Sequence, residues 1–127
     1  MSYIPTALRY AATHEWLRRD KDGTLIVGIT DHAQDALGAI VALQFPLLGG
    51  EYRAGDPVSI VESAKTASDV HAPVSGFVIA VNEELCNELW SLNEEPYDHW
   101  LFKLQPTDEE EIDLLLTPEG YAKAIDE

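Results

Sequence analysis

A mainly β fold, closed as a barrel or a sandwich, is what this sequence predicts, and three features carry that reading. Short apolar runs rich in β-branched residues recur at residues 24–30, 40–45, 57–62 and 77–81. They have the length and composition of half-buried strands. Turn formers separate them at Asp22-Gly23, Pro46 to Gly50, Ala54-Gly55-Asp56 and Pro73-Val74-Ser75-Gly76, a spacing that suits a barrel or sandwich rather than a βαβ fold. There is also a faint internal echo. The path into Lys65, through residues 40–45 and 58–62, is mirrored by the path out, through 70–72 and 77–81.

The bounds are those of one soluble domain. With 127 residues, the chain is long enough for its own core without staples. A formal net charge of −15 and a pI near 4.4 argue against nucleic acid and anionic membrane, which require a basic face. They suit partners with basic docking surfaces, reached by electrostatic steering. No run approaches the roughly 18 apolar residues of a membrane span. Met1-Ser2-Tyr3-Ile4-Pro5 lacks the layout of a signal peptide. The expected location is the cytoplasm, or the mitochondrial matrix if a transit peptide has been removed. The single cysteine, Cys86, excludes an internal disulfide and a cysteine-built metal site; a half-buried thiol is expected.

Taken in order, residues 15–19 and 24–30 read as a hairpin about Asp22-Gly23. Asp31 to Gly38 reads as a short helix, with Asp31 as cap, Gln34 returning the hydrogen bond and Gly38 as the stop. His32 has no second His or Cys at ligand spacing and is expected to be structural. Strands follow at 40–45 and 57–62, with a loop over 46–51. Glu83 to Leu89 reads as a helix capped by Asn82, Trp90 to Tyr97 as a loop, and Trp100 to Leu104 as a strand. In the tail, Thr107 is expected to cap an amphipathic helix whose Ile112, Leu114 and Leu115 face inward. Its Glu109-Glu110-Glu111 run reads as a solvated start, not a metal site. Pro118 then opens a second C-terminal helix at the position that favours proline.

Residues 60–81 organise the rest. Ser63, Ala64, Thr66, Ala67 and Ser68 are small, so nothing bulky screens the amine of Lys65, whose flexible four-carbon stem suits a swinging attachment. Strand, lysine turn, strand, Pro-Val-Ser-Gly turn and strand together resemble the biotinyl/lipoyl carrier fold, a barrel-sandwich hybrid. The wording Val61-Glu62-Ser63-Ala64-Lys65-Thr66-Ala67-Ser68-Asp69-Val70-His71-Ala72-Pro73-Val74-Ser75-Gly76 is similar to one branch, the H-protein family of the glycine cleavage system. So are the opening Tyr10 to Trp16, with its Thr13-His14-Glu15-Trp16, the block Val27 to Gln34, and the loop Asn93 to Tyr97. The resemblance runs from about Tyr10 to Ala124. It implies one H-protein-like lipoyl domain over 1–127, with its core at about 10–105, short flanking helices and a helical extension at 107–127.

The resemblance further implies a shuttle without catalytic residues or metal. Lys65 would carry lipoic acid in amide linkage, attached by a lipoate ligase or lipoyl transferase that reads Glu62, Ser63 and Ala64. The arm would accept an aminomethyl group from the glycine decarboxylase P protein. It would pass the carbon to the aminomethyltransferase T protein and be reoxidised by the dihydrolipoyl dehydrogenase L protein. Thr13, Glu15 and Asp69 would hold the protonated amine, a hydroxyl and two carboxylates suited to a cation. The chain departs from the family pattern at Ala39, Leu47-Leu48, Leu89 and Pro96 to Trp100, on loops expected to face partners. Those departures leave a second reading, an H-like lipoate-binding protein carrying sulfur for a heterodisulfide-reductase-like complex in sulfur oxidation.

Overall fold

A computed structural model describes residues 2–126, so the two ends of the expected domain, 1 and 127, lie outside the described residues. In chain order the elements are β1 (Arg9–Tyr10), β2 (Glu15–Arg19), β3 (Leu25–Ile29), α1 (Asp31–Leu37), β4 (Ile40–Gln44), β5 (Glu51–Tyr52), β6 (Pro57–Ser63), β7 (Ala67–His71) and β8 (Gly76–Val81). A 3-10 helix (Glu83–Asn87), α2 (Trp90–Glu94), β9 (Phe102–Pro106), a second 3-10 helix (Glu109–Leu114) and α3 (Pro118–Ala124) complete it. The fold is mainly β, as expected. Six strands form one sheet in the order β1-β2-β3-β9-β8-β5, and three form the other in the order β4-β6-β7. All pairings are antiparallel.

The sheets enclose the main core. Leu17, Val27 and Ile29 of the larger sheet pack with Val58, Val61 and Val70 of the smaller, joined by Val74, Leu101, Phe102 and Leu104. Alternation along β2 and β3 sends the intervening residues to the opposite face. There Trp16 and Ile26 meet Leu8, Tyr10 and Tyr121, forming a second cluster under α3. Both faces of β3 are therefore covered, which is why all five of its residues are buried. Gly28 pairs with Trp16, and a Cβ on it would lie 2.5 Å from the indole. Only glycine lets the ring lie flat there, with its N–H donating to the Pro96 carbonyl at 3.0 Å.

Several expected boundaries move. The cap of α1 is Thr30, whose hydroxyl accepts from the Ala33 amide; Asp31 is the first helical residue and accepts from the Gln34 side chain. The segment after Asn82 is a 3-10 helix without a side-chain cap; the Asn82 side-chain Nδ2 donates to the Trp100 carbonyl. Trp90 to Glu94 is helical, not loop. The strand expected from Trp100 begins at Phe102, its first residues having been drawn into covering Trp16 and Val27. Asp108, not Thr107, caps the second 3-10 helix. Leu114 is 82% exposed rather than inward, since a 3-10 winding turns it away from the face that buries Ile112. Thr117 and Pro118 open α3 as expected. Cys86 is exposed, not half-buried.

Glu111 also departs from expectation. Its carboxylate accepts from the Ser75 amide at 2.9 Å and the Ser75 hydroxyl at 3.1 Å, so it ties the tail to the Pro-Val-Ser-Gly turn rather than facing water alone. The internal echo survives only in part: β6 and β7 are neighbours, but β4 and β8 lie in different sheets.

Candidate functional site

Lys65 stands at the tip of the β6–β7 hairpin, exposed together with Ala64, Thr66, Ala67, Ser68 and Asp69. The ladder closes at Glu62 opposite Ala67, and the Ser63 amide donates to the Thr66 carbonyl at 2.7 Å. Two-residue hairpin loops ordinarily use left-handed residues such as glycine. Here Ala64 and Lys65 both keep negative φ, and the Ser63 side chain supplies the missing organisation. Its hydroxyl oxygen accepts from the amides of Thr66, at 3.2 Å, and Lys65, at 3.4 Å, and donates to the Thr66 carbonyl at 3.2 Å. Ser63 is therefore buried inside the turn, Glu62 is half-buried beside it, and Ala64 is open to solvent.

The lysine stem lies over the end of α1. Gly38 there has φ +81, and a Cβ on it would come within 3.2 Å of Lys65 Cε and 3.6 Å of Nζ. A larger residue would meet both a backbone penalty and the arm itself. Asn93 fixes this corner: its side chain donates to the Gly38 carbonyl at 2.8 Å and to Gln34 at 3.1 Å, and accepts from the Ile40 amide at 3.0 Å. Sequence reading gave Asn93 no role, because its three partners are remote in sequence.

Beside the hairpin is a cavity of about 270 Å³. Ile29, Ala33, Leu37 and Val61 make its apolar side, and Thr13, Glu15, Ser68 and Asp69 its polar rim. The three residues expected to act together are thus brought to one cavity. They differ sharply in environment. Thr13 and Asp69 are exposed, while Glu15 is 1% exposed.

Alternation explains the burial of Glu15. It lies two residues before Leu17 on the core-facing side of β2, opposite Ile29. Its oxygens are spoken for: Oε1 accepts from the Thr13 hydroxyl, and Oε2 accepts from the His71 amide at 3.0 Å. Because β7 is the outer strand of the smaller sheet, that amide would otherwise be an unpaired edge donor. Glu15 stitches the two sheets together at the cavity. Burial holds its pKa above the ordinary carboxylate value, and the His71 amide, the Thr13 hydroxyl and the His71 ring offset that rise only in part.

His14 sits between Thr13 and Glu15 with φ +76. Its amide donates to the Ala11 carbonyl at 3.0 Å and the Ala11 amide to the Glu15 carbonyl at 2.9 Å, a three-residue loop whose last position needs a left-handed residue. The ring contacts His32, with centroids 4.6 Å apart, and Nδ1 is 2.8 Å from the Tyr121 hydroxyl. Burial lowers the His14 pKa, and the nearby His32 adds to that. His32 is half-buried against it, the structural place expected. Leu47 and Leu48 are 80% and 64% exposed, on a loop hydrogen-bonded to β8 rather than to the lysine hairpin.

Comparison with known proteins decides the family. A family model described as glycine cleavage H-protein matches residues 8–127. The chain is 52% identical to a glycine cleavage system H protein 2 of Pseudomonas putida KT2440 over the full length of both. It is 49% identical to the glycine cleavage system H protein of Shewanella oneidensis, across 100% of this chain and 99% of that one. The chain belongs to the glycine cleavage H-protein family. The crystal structure of a glycine cleavage system H protein from Mycobacterium marinum superposes with a TM-score of 0.88 at 37% identity, covering 98% of this chain and 100% of that one. H proteins are lipoyl carriers, so the barrel-sandwich reading stands with the family. Nothing in these likenesses favours the sulfur-carrying alternative. Among the described residues, no helix is long and apolar enough to cross a membrane.

Proposed function

We propose that this chain is the lipoyl-bearing shuttle of a glycine cleavage system, with Lys65 as the attachment point. One observation carries the reading: an exposed lysine on a bare turn is next to Thr66, which lines a cavity whose rim holds a buried carboxylate. The make-up of that cavity suits the group. Its apolar side matches a hydrocarbon arm, and its acidic rim matches an amine at the end of one.

Lys65 Nζ would hold lipoic acid in amide linkage, and that group would supply the dithiolane chemistry for carrying an aminomethyl carbon between partners. The chain's own residues do everything else by position. Glu15 and Asp69 attract the protonated amine of the cargo, and the Thr13 hydroxyl orients the Glu15 oxygen that receives it. Ile29, Ala33, Leu37 and Val61 keep water from the bound carbon, which protects it from hydrolysis and strengthens the ion pairs. Ser63 shapes the turn that a lipoate ligase or lipoyl transferase must read, with Glu62 and Ala64 as its accessible neighbours. No residue of this chain does chemistry; the P, T and L proteins do, and the net charge of −15 steers the carrier to basic surfaces on them.

Intact mass after expression with lipoate, followed by reconstitution with P, T and L proteins, tests the reading. Acylation mapped to the Lys65 peptide and glycine-dependent NADH formation are the expected results. A fully acylated sample that supports no NADH formation would overturn the glycine assignment; absence of acylation in the native host would overturn the carrier itself.

A further inference from the structure

Behind the cavity-lining Glu15, among the described residues, one buried side-chain nitrogen has no hydrogen-bond partner, His71 Nδ1. It lies 3.4 Å from Glu15 Oε2, the oxygen that also accepts from the His71 main-chain amide at 3.0 Å. A nitrogen lone pair facing a buried anionic oxygen would be repelled strongly where water is excluded, whereas an N–H in the same place is attracted. The neutral ring has two tautomers, and its neighbours select between them. The 27% exposure of the side chain comes from its other atoms, so Nε2 is left for water.

We propose that His71 is the positioning residue for the amine-holding carboxylate. Its Nδ1–H and main-chain N–H together fix Glu15 as an oriented anion on Oε2, leaving Oε1 and the Thr13 hydroxyl for the cargo amine. The inference rests on the aminomethyl reading of the cavity. It bears on a carboxylate whose pKa burial raises: the His71 main-chain amide and ring both oppose that rise. The other titratable groups around the pair are Asp69, two residues along the same face of β7, His14 on the β1–β2 loop and His32 behind it. The residue of β6 opposite His71 is the uncharged Pro57.

Nitrogen NMR of the full chain labelled at histidine, followed between about pH 5 and 9, reads the tautomer directly. The expected result is a His71 ring that keeps its proton on Nδ1 when neutral; a neutral ring protonated on Nε2 overturns the proposal. Two variants extend the test. His71→Asn places an amide N–H near the position of Nδ1–H, and His71→Leu fills the space without a donor. Carbon NMR of the Glu15 carboxyl should show a pKa about one unit higher in His71→Leu than in His71→Asn.

On the lipoylated, aminomethyl-loaded protein, spontaneous loss of the amine should be about tenfold faster in His71→Leu and within about twofold of the parent in His71→Asn. Equal Glu15 pKa values in the two variants, or equal loss rates, overturn the positioning role and leave the aminomethyl reading intact. Unchanged amine retention in Glu15→Gln would strike the aminomethyl reading instead. Should His71→Leu not fold, the tautomer of the parent and the retention of His71→Asn still decide.

Discussion

The lysine turn and the Glu15 rim meet at one cavity, through Thr66 to Asp69 and through Thr13 to Glu15, and are built on opposite principles. Around Lys65 every neighbour from Ala64 to Asp69 is exposed, and the stem's close neighbour is Gly38, which offers no side chain. Around Glu15 both oxygens have hydrogen-bond donors, and the residue is 1% exposed. A carrier needs both. On the proposed reading the Lys65 handle would leave the protein to reach other active sites, and its tip makes few contacts that would have to be broken. On the same reading Glu15 would hold a labile cargo between visits, and its geometry is fixed in advance by contacts that cost nothing further when the cargo arrives.

The largest effect expected from breaking that division falls on the handle. Lys65→Arg keeps the charge and the stem but replaces the acylatable amine with a guanidinium, which no amide-forming enzyme uses. Glycine-dependent NADH formation should drop to background, with no acyl mass increment and a melting temperature within about 1 °C of the parent, as expected for an exposed substitution. Substantial remaining activity would mean that the handle lies elsewhere.

On the fixed side, Gly28→Ala is the sharper test of the scaffold. The new methyl would lie 2.5 Å from the Trp16 indole, and that ring is held by the Pro96 carbonyl and by the cluster under α3. An overpacking cost of about 1–3 kcal/mol is expected, read as a lower denaturant midpoint. Lysine acylation should be unaffected, because Trp16 lies on the face of the larger sheet opposite the cavity. If acylation fell in proportion to stability, the two regions would not be separable.

Ser63→Ala probes the handle from within. It removes one hydroxyl that accepts from two amides and donates to a carbonyl, for a cost of about 1 kcal/mol. That cost should appear locally, as faster amide exchange at Lys65 and Thr66 and slower acylation by the ligase, with β2 and β3 unchanged. Slowing of acylation without faster exchange would mean that the enzyme reads the hydroxyl itself.

What the sequence revealed and what it hid follow the same division. The lysine turn, the Pro-Val-Ser-Gly turn and most strands were legible because a few adjacent residues specify them. Caps slipped by one residue, from Asp31 to Thr30 and from Thr107 to Asp108, since neighbouring Ser, Thr and Asp side chains compete for the same orphan amides. Thr13, Glu15 and Asp69 came together at one cavity, but the grip of His71 on Glu15 spans 56 positions and that of Glu111 on Ser75 spans 36. No local pattern encodes pairs so distant. Period-two alternation did place Asp69 and His71 on one face of β7, a signal that could have drawn attention to His71 earlier.

The smallest expected effect concerns His14, which belongs to the fixed side yet is built for its backbone. At φ +76 a β-branched residue would be strained, while asparagine tolerates the left-handed region. Burial lowers the His14 pKa below its ordinary value of 6.5, so the unfolded chain binds a proton more readily than the folded one. Stability from this group is therefore fully present above about pH 6.5 and is lost as pH falls from there through the lowered folded-state value. His14→Asn keeps the loop and removes the titration. Its denaturant midpoint should fall less than the parent's between neutral and mildly acidic pH, while lysine acylation at neutral pH stays the same. Parallel decline of the two proteins would show that the ring is already solvated in solution, and that the rim beside Glu15 is looser than its hydrogen bonds imply.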